Sequence, residues 1–315
     1  MVTRRPTSLN PAEPGNVSAL TNRGGSAVDR RRDRWISRRD WISIGDRAEW
    51  TDRGHTQISG LSAIHGGSAT YWERLMTIEG KAVLVTGANR GIGRALVEEA
   101  LSRGAKRVYA GTRHPFAHPD ERVIPLMLDV TNTAQIEAAV ETIESLDMLI
   151  NNAGVALYDD LSDRSVLEQH LAVNLFGTYG VTQAFQPMLI RSGGTIVNNV
   201  SMMAMAPLPI TPAYAISKAA AFNLTQSLRA LLAGRGVKVH AVLTGPTDTD
   251  MTRGFEIPKA SPESVARAIF DGVEKGDEEI FPDPTSEVLA ESWRGGMAKA
   301  LVHEYAAFVQ APAAA

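Results

Sequence analysis

The chain has 315 residues, enough for one large domain or two smaller ones, and its 44% hydrophobic content is ordinary for a globular protein. It has no cysteine, which excludes disulfides and thiolate metal sites and favours a reducing, cytoplasmic setting. No apolar run approaches the roughly 18 residues of a membrane span, so we expect no membrane partner.

Residues 1–75 differ in composition from the rest. They hold 12 arginines, no lysine and 8 acidic residues, so they contribute +4 to the formal net charge of −3 and the remainder contributes −7. Because they show no regular apolar period, we predict a disordered basic extension there and a folded domain over 76–315, with Met76 as an alternative start of translation. The basic arm RRRDRWISRRD could instead contact nucleic acid or a membrane surface, but the acidic remainder gives nucleic acid little to bind.

From residue 81 onward, short β-branched runs alternate with segments of helical apolar period. The runs predict strands at 81–86, 106–112, 122–128, 146–154 (a strand and then a turn), 194–201, 237–245 and 278–283. The helical segments lie at 91–104, 133–143, about 161–188, 212–233, 261–276 and 286–309. This alternation predicts an α/β fold: one doubly wound parallel sheet of the Rossmann type with about seven strands, helices on both faces and a single domain.

A glycine-rich loop, TGANRGIG (86–93), lies between the first strand and the first helix. Its glycines allow a sharp turn and a close approach of backbone N–H groups to a phosphate, toward which the helix points its positive end. A plain turn is the alternative, but the position inside a βαβ unit favours a dinucleotide site. The predicted cofactor-binding residues of this loop are Thr86, Gly87, Asn89, Arg90, Gly91, Ile92 and Gly93.

The end of the second strand indicates which dinucleotide binds. NAD-binding proteins place an acidic residue about 20 positions after the loop, where it accepts a hydrogen bond from the ribose 2′-hydroxyl. Here that position is Thr112 and the next residue is Arg113, which can grip a 2′-phosphate, with Arg90 as a second cation. We therefore favour NADP(H) over NAD(H); the alternative is that both arginines are solvated surface residues.

The stretch AYAISKAA places Tyr214 and Lys218 one turn apart on a predicted helix. The simpler explanation is that both are surface residues and their spacing is accidental. The functional one is that an ammonium about 4 Å from a phenol supplies roughly 4 kcal/mol at an effective dielectric near 20. That is enough to bring a phenol from a pKa near 10 to about 7, where it can donate or accept a proton.

Taken in order, these motifs resemble the short-chain dehydrogenase/reductase family over residues 78 to about 310. The TGANRGIG loop is similar to its T-G-x-x-x-G-x-G loop, Asp129 to its adenine-contacting acid, and Asn151 to Gly154 to its N-N-A-G turn. Asn174, Ser201, Tyr214 and Lys218 match its Asn-Ser-Tyr-Lys tetrad. The resemblance implies further cofactor contacts by Val130, Asn151, Ala153, Gly154, Tyr214, Lys218, Gly245 and Thr249. One position departs from it: Thr244 stands where the family usually has proline.

The resemblance implies an NADP(H)-dependent oxidoreductase that acts on a small carbonyl or alcohol. Tyr214 would be the general acid/base, Ser201 would hold the substrate oxygen, and Lys218 would also bond the nicotinamide ribose. Asn174 would hold a relay water or make a structural amide bond, and Asn151 would brace the sheet. The family also implies a homodimer or homotetramer through the helices at 161–188 and 212–233.

Three smaller expectations complete the analysis. The methionine-rich segment 202–209 is predicted to line the substrate pocket and 249–261 to form a small lid. His114 and His118 are separated by Pro115, so we expect no metal. The main alternative function is a catalytically silent NAD(P)-sensing protein on the same fold. A nucleotide-sugar epimerase or dehydratase would need a different loop spacing and a larger C-terminal domain.

Overall fold

Seven parallel strands form one sheet in the order β3-β2-β1-β4-β5-β6-β7 in the computed structural model. The model describes residues 77–310 and the side chains of 77–307, so the prediction for 1–75 lies outside the described residues. The strands are β1 (Ala82–Thr86), β2 (Arg107–Thr112), β3 (Val123–Met127), β4 (Met148–Asn151), β5 (Thr195–Asn199), β6 (Lys238–Val242) and β7 (Glu279–Ile280). The predicted doubly wound parallel sheet is confirmed.

Helices connect these strands. They are α1 (Gly91–Ser102), α2 (Thr133–Thr142), α3 (Arg164–His170), α4 (Thr178–Ser192), α5 (Pro212–Leu232), α6 (Pro262–Lys275), α7 (Pro284–Glu287), α8 (Ala290–Arg294) and α9 (Met297–Gln310). The predicted cap of α6 is present, because the Ser261 side chain accepts a hydrogen bond from the Ser264 N–H. Within residues 77–310, none of these helices is both long and apolar enough to cross a membrane.

The sheet is buried on both faces, which explains why its strands read as continuous apolar runs. All five residues of β1 are buried: Val83 and Val85 join the cluster that includes α1 and α6, whereas Ala82 and Leu84 join the cluster that includes α2 and α4. Alternate side chains of a strand point to opposite faces, so one sequence run fills two cores. The sheet is thereby fixed between two helical layers.

The strand order places a crevice at the carboxyl ends of β1 and β4. The chain builds outward from β1 to β2 and β3, then returns to β4 and continues through β5 to β7 on the other side. Open α/β sheets bind ligands where this order reverses. Thr86 ends β1 and Asn151 ends β4, so the predicted site residues lie at that crevice.

The predicted long helix over about 161–188 is present, with ends shifted by a few residues and one irregular turn inside it. The helical segment runs from Arg164 to Ser192, and Leu171–Gly177 between α3 and α4 forms a wider π-type turn. Such a turn is often found at functional sites, and Asn174 lies inside it. Its side chain bonds to the backbone of Val155, a tertiary contact with no local sequence signature.

The prediction of one closing helix over 286–309 was wrong. Three helices, α7 to α9, occupy that region, and the break before α9 falls at Gly295 and Gly296. Glycine loses the most conformational freedom in a helix, so adjacent glycines favour an interruption. Lys299 on α9 then bonds to Glu279 in β7 and to Glu278 just before it, which anchors the last helix to the sheet edge.

Candidate active site

Only glycine fits at two positions of the loop between β1 and α1. Gly87 has a φ of +66°, and a Cβ there would lie 2.9 Å from the Ala153 Cα. A Cβ on Gly93 would lie 2.0 Å from the Gly87 carbonyl oxygen. Thr86 joins this turn to the segment after β4, because its Oγ1 accepts hydrogen bonds of 3.0 Å from the N–H groups of Asn152 and Ala153. The loop therefore has one tightly defined shape.

The first turn of α1 is open to an anion. No side chain caps the helix at Arg90, and no acidic residue lies in its first turn. The first N–H groups of a helix have no partner inside it, and the helix dipole makes that end positive. Asn89 and Arg90 are exposed, Ile92 packs partly buried against the core, and Gly91 adjoins the Thr249 side chain. These donors fit a dinucleotide diphosphate.

The ends of β2 and β3 carry the residues that the sequence predicts to bind the adenosine half of the cofactor. Thr112 is buried, and its Oγ1 has no hydrogen-bond partner among the described residues, whereas Arg113 is exposed. Asp129 accepts from the Thr131 N–H and hydroxyl through one oxygen, Oδ1. Burial opposes the ionisation of Asp129, but the bonds from Thr131 and the nearby charge of Arg113 lower its pKa below the ordinary value. Val130 is buried beside Gly177.

Arg90 has a protein partner that the sequence did not suggest. Its Nη1 lies 3.1 Å from Asp250 Oδ2, and Asp250 also pairs with Arg253. The Arg90 and Asp250 side chains are exposed, so this ion pair contributes little and can be exchanged for another anion. The pair joins the glycine loop to the predicted lid.

Asn151 braces the sheet. Its Nδ2 donates to Asn198 Oδ1 at 2.8 Å and to Thr182 Oγ1 at 2.9 Å, and Asn198 donates in turn to Thr225. These bonds join β4, β5, α4 and α5. The contacts of Asn151 among the described residues are therefore structural, and its role toward a cofactor stays a prediction.

Ser201, Tyr214 and Lys218 meet at the carboxyl edge of the sheet. Ser201 lies two residues after β5, and its hydroxyl is near enough to the Tyr214 phenol to act to lower the pKa of that phenol. Lys218 Nζ lies 5.7 Å from the centre of the Tyr214 ring and donates to the Asn199 carbonyl oxygen at 2.9 Å. Gly154 approaches the same place, because a Cβ there would lie 3.7 Å from Lys218 Nζ. The trio can hold a substrate oxygen and move a proton to or from it.

The residues alone do not give Tyr214 the low pKa that the sequence predicted. Burial raises the pKa of Tyr214 to about 12, and the nearby Ser201 hydroxyl only partly opposes that rise. Burial also lowers the pKa of Lys218 to about 8. Lys218 therefore loses its proton before Tyr214 does as the pH rises, so its charge is absent when the phenol ionises. This loss of hydration depends on burial, which the helical spacing of the two residues does not reveal.

Asn174 holds the loop that follows β4. Its Oδ1 accepts from the Val155 N–H, and its Nδ2 donates to the Val155 oxygen and to Ser217 Oγ, each at 2.9 Å. The side chain thus makes the structural amide bonds that the sequence left open as one alternative. The role of Asn174 toward a relay water stays a prediction.

Sequence reasoning missed His170, one turn before Asn174. It is fully buried, its ring lies 6.1 Å from that of Tyr214, and its Nε2 accepts from the Leu157 N–H at 3.0 Å. Its Nδ1 faces the Val166 oxygen at 2.8 Å, so both ring nitrogens are used by backbone groups. The spacing of four from Asn174 on a helix was the available signal.

Gly245 and Thr249 lie in the segment that follows β6. The Gly245 N–H donates to Asp283 Oδ2 at 2.7 Å, and Thr249 begins the short helical turn Asp250–Thr252. Met202–Ala204 follows Ser201 directly. His118 bonds to Glu98 at 3.2 Å, and no group of three or more potential metal ligands occurs among residues 77–307.

A Rossmann sheet, a glycine loop opening a helix, and a Ser-Tyr-Lys trio at the sheet edge together define a dinucleotide-binding oxidoreductase. A family model described as short chain dehydrogenase matches residues 81–259. The chain therefore belongs to the short-chain dehydrogenase/reductase family, as its motifs had indicated.

Several characterised proteins are similar to the chain. A crystal structure of a short chain dehydrogenase from Burkholderia cenocepacia J2315 in complex with NADP has a TM-score of 0.66 and 36% identity, covering 72% of this chain and 98% of that one. Mouse estradiol 17-beta-dehydrogenase 2 is 36% identical over 200 residues, 58% of this chain but about half (52%) of that protein. The 2-(S)-hydroxypropyl-CoM dehydrogenase 3 of Xanthobacter autotrophicus is 34% identical over 208 residues, 61% and 82% of the two chains.

Proposed function

We propose that the protein is an NADP(H)-dependent dehydrogenase or reductase that acts on a small carbonyl or alcohol. The observation that carries this proposal is the meeting of Ser201, Tyr214 and Lys218 within one cleft that also holds the glycine loop. The cofactor would supply or accept the hydride. Tyr214 would donate its proton to the carbonyl oxygen in reduction and remove one in oxidation, while Ser201 would hold that oxygen in place.

The preference for NADP(H) is supported by charge at the end of β2. Thr112 offers no carboxylate to repel a 2′-phosphate, and Arg113 is exposed beside it. A guanidinium can bind a phosphate through two hydrogen bonds. The similar Burkholderia cenocepacia protein was solved with NADP, which agrees with this choice.

Apolar side chains on the loops that follow β4, β5 and β6 support an apolar substrate. Tyr158 follows β4 and Phe255 lies in the predicted lid, and their rings are 6.0 Å apart. Leu208 and Ile210, which precede α5, are also exposed apolar side chains. Exposed apolar groups around a polar catalytic trio are typical of a small-molecule site. We therefore expect ketones and aldehydes without charged groups to react best.

Two variants test the proposal. Wild-type protein should oxidise NADPH in the presence of members of an aldehyde and ketone panel, and Tyr214→Phe should lower turnover at least 100-fold, because general acid catalysis contributes about that much. A Tyr214→Phe protein with full turnover would refute the mechanism. Tyr109→Phe is a matched control, since Tyr109 is buried within β2 away from the trio.

Cofactor preference is tested by fluorescence titration. Arg113→Ala should weaken NADPH about 10-fold or more and leave NADH nearly unchanged, because only NADPH carries the 2′-phosphate. Arg107→Ala, at the opposite end of the same strand, should change neither affinity. Equal losses for both cofactors in Arg113→Ala would contradict the assignment.

The main alternative is a sensor that binds NAD(P) without catalysis. Retention of both Tyr214 and Lys218 argues against it, because a sensor needs neither. Binding of NADPH with no turnover of any carbonyl or alcohol would favour the sensor.

We further propose a cytoplasmic homodimer or homotetramer. Phe176 and Tyr179 are exposed on the α3–α4 segment, where the sequence analysis placed the subunit contact. Sedimentation would test the assembly. Residues 1–75 are proposed to be dispensable, and assay of a chain starting at Met76 would test that.

A further inference from the structure

Three side chains at the ends of neighbouring strands bond to one another in series and then to the backbone at the end of a fourth strand. Thr244 Oγ1 donates to Asn199 Oδ1 at 2.6 Å, and Asn199 Nδ2 donates to Asn152 Oδ1 at 3.0 Å. Asn152 Nδ2 then donates to the carbonyl oxygens of Thr86 and Gly87 at 3.0 and 3.3 Å. These residues end or follow β6, β5, β4 and β1, which are adjacent in the sheet. We call Thr244, Asn199 and Asn152 the cross-strand relay.

The direction of the relay is fixed by its last step. Backbone carbonyl oxygens only accept hydrogen bonds, so Asn152 must turn its NH₂ toward the glycine loop and its oxygen toward Asn199. Asn199 must then donate to Asn152 and accept from Thr244. Asn199 Oδ1 therefore needs a hydroxyl or another hydrogen-bond donor at position 244. Thr244 supplies that hydroxyl, and the residue is buried.

Two members of the relay, Asn199 and Thr244, contact the catalytic trio through their backbone oxygens. The Asn199 oxygen accepts from Lys218 Nζ at 2.9 Å. The Thr244 oxygen accepts from Ser201 Oγ at 3.4 Å and from the Met202 N–H at 3.1 Å. The residues whose side chains carry the relay therefore also hold Lys218 and Ser201.

We propose that Thr244 and Asn199 are positioning residues that keep Lys218 and Ser201 in register with the glycine loop. Position 244 is where the sequence departs from its family, which usually has proline there. Proline has no donor to give Asn199, so this chain has replaced a rigid residue by a hydrogen-bonded link. The inference rests on the proposed function only for its effect on turnover, because the effect on Lys218 can be measured without catalysis.

Three variants separate positioning from plain stability. Thr244→Val removes the hydroxyl at nearly constant volume, and Thr244→Ser restores it. Thr225→Val is the matched control: Thr225 is fully buried and accepts a 2.9 Å bond from Asn198, but its partners lie outside the relay. Thermal unfolding should show similar losses of stability in Thr244→Val and Thr225→Val.

The first readout is the pH dependence of Lys218 acetylation in the protein alone, followed by peptide mass spectrometry. A hydrogen bond to the ammonium favours its charged form. In the wild type, half of Lys218 should be reactive near pH 8, because burial lowers its pKa to about 8. Thr244→Val should weaken the hydrogen bond that the charged Lys218 donates to the Asn199 oxygen. The rate of Lys218 acetylation at pH 7 should therefore rise about fivefold. Thr244→Ser and Thr225→Val should match the wild type.

The second readout is kcat at saturating NADPH. Thr244→Val should lower kcat about 10-fold with little change in KM, Thr244→Ser should stay within about twofold, and Thr225→Val should not change it. Asn199→Leu should behave like Thr244→Val, and the double variant should be no worse than Asn199→Leu alone, because both break one relay. Asn199→Leu also serves if Thr244→Val does not fold.

The outcomes are distinct. If Lys218 labelling and kcat in Thr244→Val and Asn199→Leu match those of Thr225→Val, the relay is structural only and the inference is wrong. Multiplied losses in the double variant would also contradict it. If the wild type turns over no substrate, the proposed function fails, while the labelling experiment still decides the positioning role.

Discussion

Replacement of Lys218 by methionine tests how the ammonium acts on Tyr214. Lys218 Nζ lies 5.7 Å from the centre of the Tyr214 ring, and one unit charge at that distance contributes about 2.9 kcal/mol at an effective dielectric near 20, or about 2 pKa units. Burial raises the pKa of Tyr214 to about 12. A charged Lys218 opposes that rise, so at a pH where Lys218 is protonated the phenolate should form about 100-fold more readily than in Lys218→Met.

This advantage exists only while Lys218 is protonated. Because burial lowers the pKa of Lys218 to about 8, the ammonium is present at pH 7 and is lost as the pH rises further. We expect alcohol oxidation, which needs the phenolate, to be about 100-fold slower in Lys218→Met than in the wild type at pH 7. The difference should narrow as the pH approaches 10.

The assay is kcat for alcohol oxidation from pH 6 to 10 at saturating NADP⁺, with cofactor affinity measured separately because Lys218 is also predicted to bind the ribose. Lys218→Arg is the matched control, since a guanidinium keeps its charge throughout this range. The kcat of Lys218→Arg should therefore remain higher than that of Lys218→Met at pH 10. A ratio of wild type to Lys218→Met that stays constant from pH 6 to 10 would refute the electrostatic explanation and leave only a binding role.

Two further predictions concern charges outside the trio. Asp250→Asn should tighten NADPH binding about two- to fivefold in a fluorescence titration and leave NADH unchanged, because it frees Arg90 from an exposed ion pair for the 2′-phosphate; an equal gain for both cofactors would contradict this. Burial opposes ionisation of Glu278, but its bond from Lys299 helps to lower its pKa from 4.5 to about 2. The stabilising effect of the Glu278 carboxylate should be complete above pH 4.5 and fade toward pH 2. Glu278→Gln should therefore lower the free energy of unfolding by about 1 kcal/mol at pH 7 and by less at pH 3. This value allows for solvent screening, because the Glu278 side chain is 42% exposed. Urea unfolding would measure this, with Glu121→Gln, at an exposed residue outside this cluster, as the matched control.

Much of the fold follows from local sequence. The run AVLVT predicts β1 because every residue of it packs against one of two helical layers. Gly87 and Gly93 predict the cofactor loop because a side chain at either position would collide with backbone. These features leave local sequence patterns, an apolar run and a glycine spacing, and the pattern alone is enough to find them.

What the sequence could not predict depends on contacts between distant segments. The π-type turn at Leu171–Gly177 accompanies bonds from Asn174 to Val155 and Ser217, which no periodicity encodes. The relay is similar: Thr244 is visible as a departure from the family, but its partner Asn199 is a neighbour only once β5 and β6 pair. Residues that bond across strands need the register before their roles can be read.

The pKa of Tyr214 shows the same limit in energetic terms. Spacing on a helix predicted that Lys218 lies near the phenol, and it does, but spacing says nothing about how much water each group loses. Burial moves the pKa of Tyr214 up to about 12 and that of Lys218 down to about 8, so at neutral pH the residues alone hold a protonated phenol beside an ammonium. That state donates a proton to a carbonyl oxygen without further adjustment, whereas removal of a proton from an alcohol needs more positive charge than Lys218 supplies. An oxidised nicotinamide ring carries such a charge, so the base form of Tyr214 should depend on the redox state of the bound cofactor.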